Sequence, residues 1–350
     1  MNHIFFANSG SEAIDSALKI AMAYHRAKGQ GQRTRFVSRE RAYHGVNIGG
    51  TSLAGMVKNR ETFSGVMPGV VHMRHTWDPS APFTQGQPEK GAELADDLQR
   101  ICENLGGSTS AACFVEPIAG STGCLVPPKG YLERLREICD AHGILLVFDE
   151  VITGFGRTGN WFASQTFDLK PDMMTMAKAL TSGYIPMSAL MISEEIYRDL
   201  VKQSEAFGVF GHGSTYAGHP VAAAVAVETL TIYEERDMVG HVRGVAPVMQ
   251  DGLRSFRDRP LVGEVRGVGM IGAIELVQDK GTKAPWPKET AIGAKCQEYC
   301  YEEGLVLRAV GDSIAFCPPL IATAEDVNEI LTRFDTALKK TENWAKSQGS

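Results

Sequence analysis

From Ala13 onward, AIDSALKIAMAYHRA brings apolar side chains back at Ala17, Leu18, Ala21 and Met22, a spacing that gathers them on one side of a helix. Its start is marked by Ser9-Gly10-Ser11-Glu12, which fits the Ser-x-x-Glu capping box, so a helix begins near residue 11. Further along, the pattern changes to short, almost wholly apolar runs. AACFVEPI (111–118), ILLVFDE (144–150), DMMTMA (172–177) and PMSALMIS (186–193) read as buried strands, and FVSRE (36–40) as another strand. PKGYLERLREICDAHG (128–143) reads as a helix with Pro128 near its start and Gly143 past its end. Apolar strands interleaved with amphipathic helices predict an α/β fold, a mainly parallel central sheet sandwiched by helices.

After the alanine-rich helix GHPVAAAVAVETLTIYEE (218–235) the pattern becomes that of a smaller α+β module. A helix around 239–256, strands near 262–277, a helix around 288–303, strands near 305–317 and a last helix from about Ala324 make it up. The boundary falls near Arg236, giving a large domain over 1–236 and a small C-terminal domain over 237–350. TWDPSAPFTQGQPEKG (76–91), rich in Pro, Gly and Gln, reads as a long surface connection rather than a linker between folded units.

Composition narrows the function classes. At 43% apolar and 22% charged, with a net charge of −6 over 350 residues, the chain has no global attraction for nucleic acid or an anionic membrane. Its one basic cluster, RTRFVSRER (33–41), alternates charge with Phe36 and Val37 and reads as a solvated strand face. Seven cysteines without a pairing framework point to reduced thiols and a cytoplasmic protein, and Cys296 and Cys300, one helical turn apart, lack partners for zinc. No stretch has the length of a membrane span, and MNHIFFANSGSEA lacks the apolar region of a signal peptide.

The candidate chemistry begins with Lys178, the lone charge in MTMAKAL. A lysine in an apolar run either snorkels to water or has its pKa depressed by burial, leaving a neutral amine able to form a Schiff base. Asp149 stands at the carboxyl end of the strand ILLVFDE, where open α/β sheets bind ligands. There it meets a cationic ring nitrogen, or simply caps the following turn. NSGSEA (8–13) offers hydroxyls, a glycine and a helix N-terminus, which suit a phosphate as well as they suit an ordinary cap. RAYHG (41–45) puts Tyr43 and His44 after a strand, suited to stacking on a flat ring or to plain packing. GHGSTYAGHP (211–220) is a second hydroxyl- and glycine-rich turn before a helix. RGVGMIGAIEL (266–276) contains G-x-G-x-x-G, but its continuation AIELV looks like a strand, whereas a dinucleotide fingerprint opens a helix.

A phosphate site, an aromatic for a ring face, a strand-end aspartate and a lysine in an apolar slot are together what pyridoxal phosphate requires. NSGSEA, AYHG, EPIAGSTG, FDEVITGFGRTG, MTMAKALTSGYIPMSA and GSTYAGHP resemble, in order and spacing, the class III pyridoxal-phosphate aminotransferases of fold type I. Within the class, the chain looks most like the ω-amino acid and amine:pyruvate transaminases. The resemblance implies that Lys178 forms the Schiff base and moves the proton, while Asp149 holds the pyridine nitrogen protonated. It implies that Tyr43 and Val151 cover the two ring faces and that Ser9, Gly10 and Ser11 hold the phosphate. His44 and Glu116 would complete the cofactor site, Glu116 near the ring hydroxyl, with His44 a hydrogen-bonding rather than a catalytic residue.

Thr215 would reach the phosphate of a neighbouring subunit in a homodimer or dimer of dimers, and Arg308 would pair with a substrate carboxylate. Arg157 and His219 are assigned to structure. The implied substrates are an amine or ω-amino acid and a 2-oxo acid such as pyruvate; no metal is implied. Three alternatives stay open: an aminomutase of the same fold, a decarboxylase of the same fold, and a truncated paralogue that binds cofactor without turnover. Family members carry a sizeable segment before the phosphate loop, whereas here NSGSEA begins at residue 8.

Overall fold

The computed structural model describes residues 1–63, 66–78 and 83–348. Its main sheet has seven strands: β1 (His3–Ala7), β2 (Arg35–Arg39), β3 (Val70–Met73), β4 (Ser110–Val115), β5 (Leu145–Asp149), β6 (Met173–Met176) and β7 (Ser188–Ile192). They lie in the order β1-β7-β6-β5-β4-β2-β3. Every pair from β6 across to β3 is parallel, and β7 is antiparallel to both of its neighbours, so it alone runs against the rest. The all-apolar runs predicted as strands are the centre of this sheet, with β4 and β5 buried at every residue.

Alternate residues of β5 serve two layers. Leu145 and Val147 pack with Ile14, Leu18, Ile20 and Tyr24 of helix α1 (Gly10–Ala27), whereas Leu146 and Phe148 pack with Leu132, Leu135 and Ile138 of the helix Tyr131–His142. Both faces are therefore covered, which is why these strands carry no polar alternation.

The second sheet is antiparallel, in the order β10-β11-β9-β8, from β8 (Val262–Val268), β9 (Ile271–Leu276), β10 (Arg308–Val310) and β11 (Ser313–Phe316). Helices Met238–Arg254, Ile292–Glu302 and Ala324–Gln348 accompany it. One apolar cluster joins Met174, Met176 and Met187 of the main sheet's side to Val262, Ile274 and Phe316 of the second. The G-x-G-x-x-G stretch forms the hairpin between β8 and β9 and opens no helix. Arg157 is structural, as read from the sequence: its Nη1 donates to the carbonyls of Met270 at 2.9 Å and Pro318 at 2.6 Å, tying the post-β5 loop to the second sheet.

Two expectations need correction. RTRFVSRER is not a solvated face, because Arg33 and Arg39 are buried. Arg33 donates to the carbonyls of Gly107, Ser110 and His142, and Arg39 donates to the carbonyl of Glu116 and lies 5.8 Å over the Tyr131 ring. A planar guanidinium replaces water with carbonyl acceptors and a ring face, and so enters a core that lysine would not. The second miss is β1, HIFFA, which went unread as a strand; it pairs with β7 in the register Phe5↔Leu190. Of the predicted connection 76–91, residues 79–82 lie outside the described residues, and Trp77 reaches inward to donate Nε1–H to Glu264 at 2.6 Å.

Candidate active site

Three strands that are neighbours in space end at the same edge of the main sheet, and each delivers one ionisable residue. β4 is followed directly by Glu116, β5 ends on Asp149, and β6 is followed after one residue by Lys178. All three line one cleft of about 390 Å³ together with Ser9, Gly10, Ser11, Tyr43, His44 and Val151. This is the carboxyl edge, where open α/β sheets hold ligands.

Asp149 is held by three donors. Its Oδ2 lies 2.8 Å from His44 Nδ1, and its Oδ1 accepts from Val151 N at 3.1 Å and from the Thr175 hydroxyl at 3.2 Å. Asp149 caps the turn through Val151, as one sequence reading has it, and it also lines the cleft. His44 is fully buried, and its Nε2 has no hydrogen-bond partner. A carboxylate only accepts, so Nδ1 is the ring nitrogen that donates to Asp149.

Glu116 takes the Tyr43 N–H on one oxygen and the Gly120 N–H on the other, each at 3.0 Å. Burial holds its pKa above the ordinary carboxylate range, with His44 opposing and Asp149 adding to the shift. Glu150, next to Asp149, is also fully buried and turns away to accept from Thr153 Oγ1, Ala163 N and Ser164 N, which fixes the loop after β5.

The third wall is the N-terminus of α1. Ser9 is its N-cap, accepting the Glu12 N–H at 3.2 Å, and the N–H groups of Gly10 and Ser11 have no intrahelical acceptor by construction. Ser11 Oγ accepts the Val46 N–H at 3.0 Å. Two glycines shape this wall. A Cβ on Gly10 would lie 3.3 Å from both Val151 methyls, and one on Gly45, at φ +99°, would meet Ser11 Oγ at 2.4 Å.

Lys178 differs from the sequence picture of a buried side chain, since it is exposed to the open cleft. Enough protein still crowds around it for desolvation to push its pKa below the ordinary lysine value, against the pull of Asp149 and Glu116. Its backbone sits at φ +43°, a left-handed conformation that costs a non-glycine residue about 1–2 kcal/mol. The turn is held by Thr181 N and Gly183 N donating to the Lys178 carbonyl, each at 3.3 Å, and by Tyr233 Oη donating to the Ala179 carbonyl at 3.0 Å.

Two sequence candidates stand outside the cleft. Thr215 is exposed on the loop between helices Glu194–Phe207 and Pro220–Glu235. Arg308, also exposed, opens β10 and lines an adjoining cavity of about 560 Å³ that shares Ile152 with the first. Conversely, Asn8, Thr175 and the wall from Thr181 to Met187 were missed. Thr175 was findable as the one hydroxyl in MMTM, and the wall as the Thr-Ser-Gly turn that follows the lysine.

An amine and a carboxylate meet at the carboxyl edge of a mainly parallel sheet, beside an open helix N-terminus, an arrangement that fits the enzymes of fold type I. The class-III aminotransferase family model matches residues 1–338, and the chain belongs to that family of enzymes that transfer amino groups. It is 47% identical over 332 residues to an omega-aminotransferase of Caulobacter vibrioides, covering 95% of this chain and 74% of that protein. It is 41% identical to an omega-amino acid–pyruvate aminotransferase of Pseudomonas putida, with 97% of this chain and 75% of that one covered. The omega transaminase of Pseudomonas jessenii in complex with PMP superposes with a TM-score of 0.95 at 40% identity, over 99% of this chain and 77% of that one. Among the described residues no helix is long and apolar enough to cross a membrane, and no group of three or more His, Cys, Asp or Glu residues could hold a metal ion.

Proposed function

We propose that the chain is an ω-amino acid or amine:pyruvate aminotransferase working through pyridoxal phosphate. The observation that carries this reading is the convergence of Lys178 and Asp149 on one cleft from the ends of adjacent strands. The residues present fit the cofactor. The Gly10 and Ser11 N–H groups would hold its phosphate, and the absence of a Cβ on Gly10 keeps the space beside Val151 open. Tyr43 and Val151 would flank the ring, Asp149 would hold the ring nitrogen, and Glu116 would lie near the ring hydroxyl.

When bound, pyridoxal phosphate supplies an electron sink for the charge left on a substrate carbon that loses its proton. Lys178 Nζ would be the group that anchors the cofactor and carries that proton, a task suited to an amine whose pKa is lowered by its surroundings. His44, Thr175 and the Val151 N–H would keep the Asp149 carboxylate pointed. The relatives' names support the ω-amino acid and pyruvate substrates. To the same proposal belong a cytoplasmic homodimer, in which the outward-facing Thr215 serves the neighbour's phosphate, and Arg308 as the partner of a substrate carboxylate.

The test is Lys178→Ala. The variant is expected to lose the visible Schiff-base absorbance, borohydride-fixable cofactor and essentially all pyruvate-dependent amine turnover. Wild-type stoichiometry of borohydride-fixed cofactor in the variant would refute the assignment.

A further inference from the structure

One carboxylate oxygen of Glu12 is shared between two distant parts of the chain. Oε2 accepts from Asn8 N at 2.8 Å and Asn8 Nδ2 at 2.9 Å, and also from Ser214 Oγ at 3.3 Å. Asn8 leads into the Ser9-Gly10-Ser11 cradle, and Ser214 precedes Thr215. A capping box would send this carboxylate to the N–H of the N-cap residue, Ser9. Here it reaches one residue further back.

The loop carrying Ser214 is held to α1 a second time. His212 bonds Ser16 Oγ through Nε2 and Lys19 Nζ through Nδ1, both at 2.9 Å, and stacks on Phe5 of β1 with 5.1 Å between centroids. An ammonium only donates, so Nδ1 is bare and Nε2–H donates to Ser16. The Ser16 hydroxyl in turn donates to the Glu12 carbonyl at 2.7 Å. The segment 211–216 is thus fastened to the helix whose N-terminus forms the cradle.

We propose that Glu12 is a positioning residue coupling the cradle to segment 211–216: an anion at Gly10-Ser11 orders the segment, and the docked segment tightens the cradle. This rests on the reading of the cradle as a phosphate site given above. Electrostatics alone gives the opposite sign, because a carboxylate in the first helical turn repels an anion at that helix end. Removing it would then strengthen binding; under the positioning role, removal weakens it.

The test titrates inorganic phosphate into the purified cofactor-free chain, following heat of binding and hydrogen exchange at 8–12 and 211–216. In the wild type, phosphate slows exchange in both segments. Glu12→Ala weakens phosphate binding about fivefold or more, within the ordinary range of coupling between sites. Glu12→Gln keeps an acceptor oxygen without the charge and holds phosphate at least as tightly as the wild type. Ser214→Ala abolishes the response of 211–216 and, because coupling is reciprocal, weakens phosphate binding at the cradle. Unchanged or tighter phosphate in Glu12→Ala, weaker phosphate in Glu12→Gln, or an undiminished 211–216 response in Ser214→Ala overturns the proposal. Wild-type protection at 8–12 without any at 211–216 ends the coupling and leaves the cradle standing; no protection at 8–12 ends both.

Discussion

Replacing Asp149 by asparagine is the perturbation whose cost the structure lets one work out. The carboxylate receives three donors on two oxygens, from His44 on one side and from Val151 and Thr175 on the other. An amide has one oxygen and one NH₂, so it cannot accept on both sides. If the NH₂ faces His44, the ring must move its proton to Nε2, which is buried and has no acceptor. If it faces the other way, it meets the Val151 N–H. Either orientation leaves a buried donor unpaired, which costs about 1–3 kcal/mol.

The stability loss of Asp149→Asn, measured by urea denaturation of the cofactor-free chain, should fall in that range. A double-mutant cycle with His44→Phe isolates the Nδ1–H···Oδ2 bond and should return a coupling of about 1.5–3 kcal/mol, that of a hydrogen bond to a charged group. Single-turnover reduction of the bound cofactor by an amine should slow about a hundredfold, the usual effect of removing one electrostatic partner. A coupling below about 0.5 kcal/mol would mean that His44 and Asp149 stabilise the fold independently. Near wild-type turnover would refute the role of Asp149 at the ring nitrogen.

Arg308→Ala should slow the half-reaction with pyruvate by no more than about tenfold, since the guanidinium is exposed and its ion pair screened, while that with an amine lacking a carboxylate stays unchanged. Equal losses in the two single-turnover rates would move the carboxylate contact elsewhere. His212 has its pKa lowered by burial, with Lys19 adding and Asp15 opposing, so folding favours its neutral form. Its unfolded state takes up the proton first, so its contribution is complete above the ordinary histidine value of about 6.5 and is lost as pH falls toward the lowered folded value. The stability advantage of wild type over His212→Phe, which keeps the stacking on Phe5, should shrink across that window; a pH-independent difference would contradict the neutral docking.

Much of the main sheet was legible because strands buried on both faces must be apolar throughout, a pattern that needs no partner to be recognised. Asp149 stood out as the polar residue ending such a run and Lys178 as the charge just beyond one, whereas Glu116 was marked only by the family resemblance. What composition hides is pairing. Arg39 looks solvated until the Glu116 carbonyl and the Tyr131 ring are brought to it from elsewhere in the chain. β1 escaped because its outward Ile4 and Phe6 remain partly exposed at the sheet edge, so HIFFA lacks a strand's alternation. The capping signature placed the start of α1 correctly, but it could not show that the Glu12 carboxylate goes to Asn8 and Ser214, since Ser214 is a loop residue positioned by the fold. Lys178 was legible as an amine in an apolar slot and not as one open to the cleft, because openness belongs to the space between elements.

The single reversed strand also sets an order of assembly. Among the described residues β1 has no neighbour but β7 in the sheet, and the Ser188 hydroxyl at the start of β7 donates to the Ser9 carbonyl at the start of α1 at 2.7 Å. On a ribosome adding ~5–20 residues per second, roughly 10 to 40 s separate the synthesis of Ser9 from that of Ser188. Over that interval α1, Asp149 and finally Lys178 all emerge, yet the strand that pins the helix start to the sheet does not exist. The helix start that lines the cleft is therefore encoded first and pinned last.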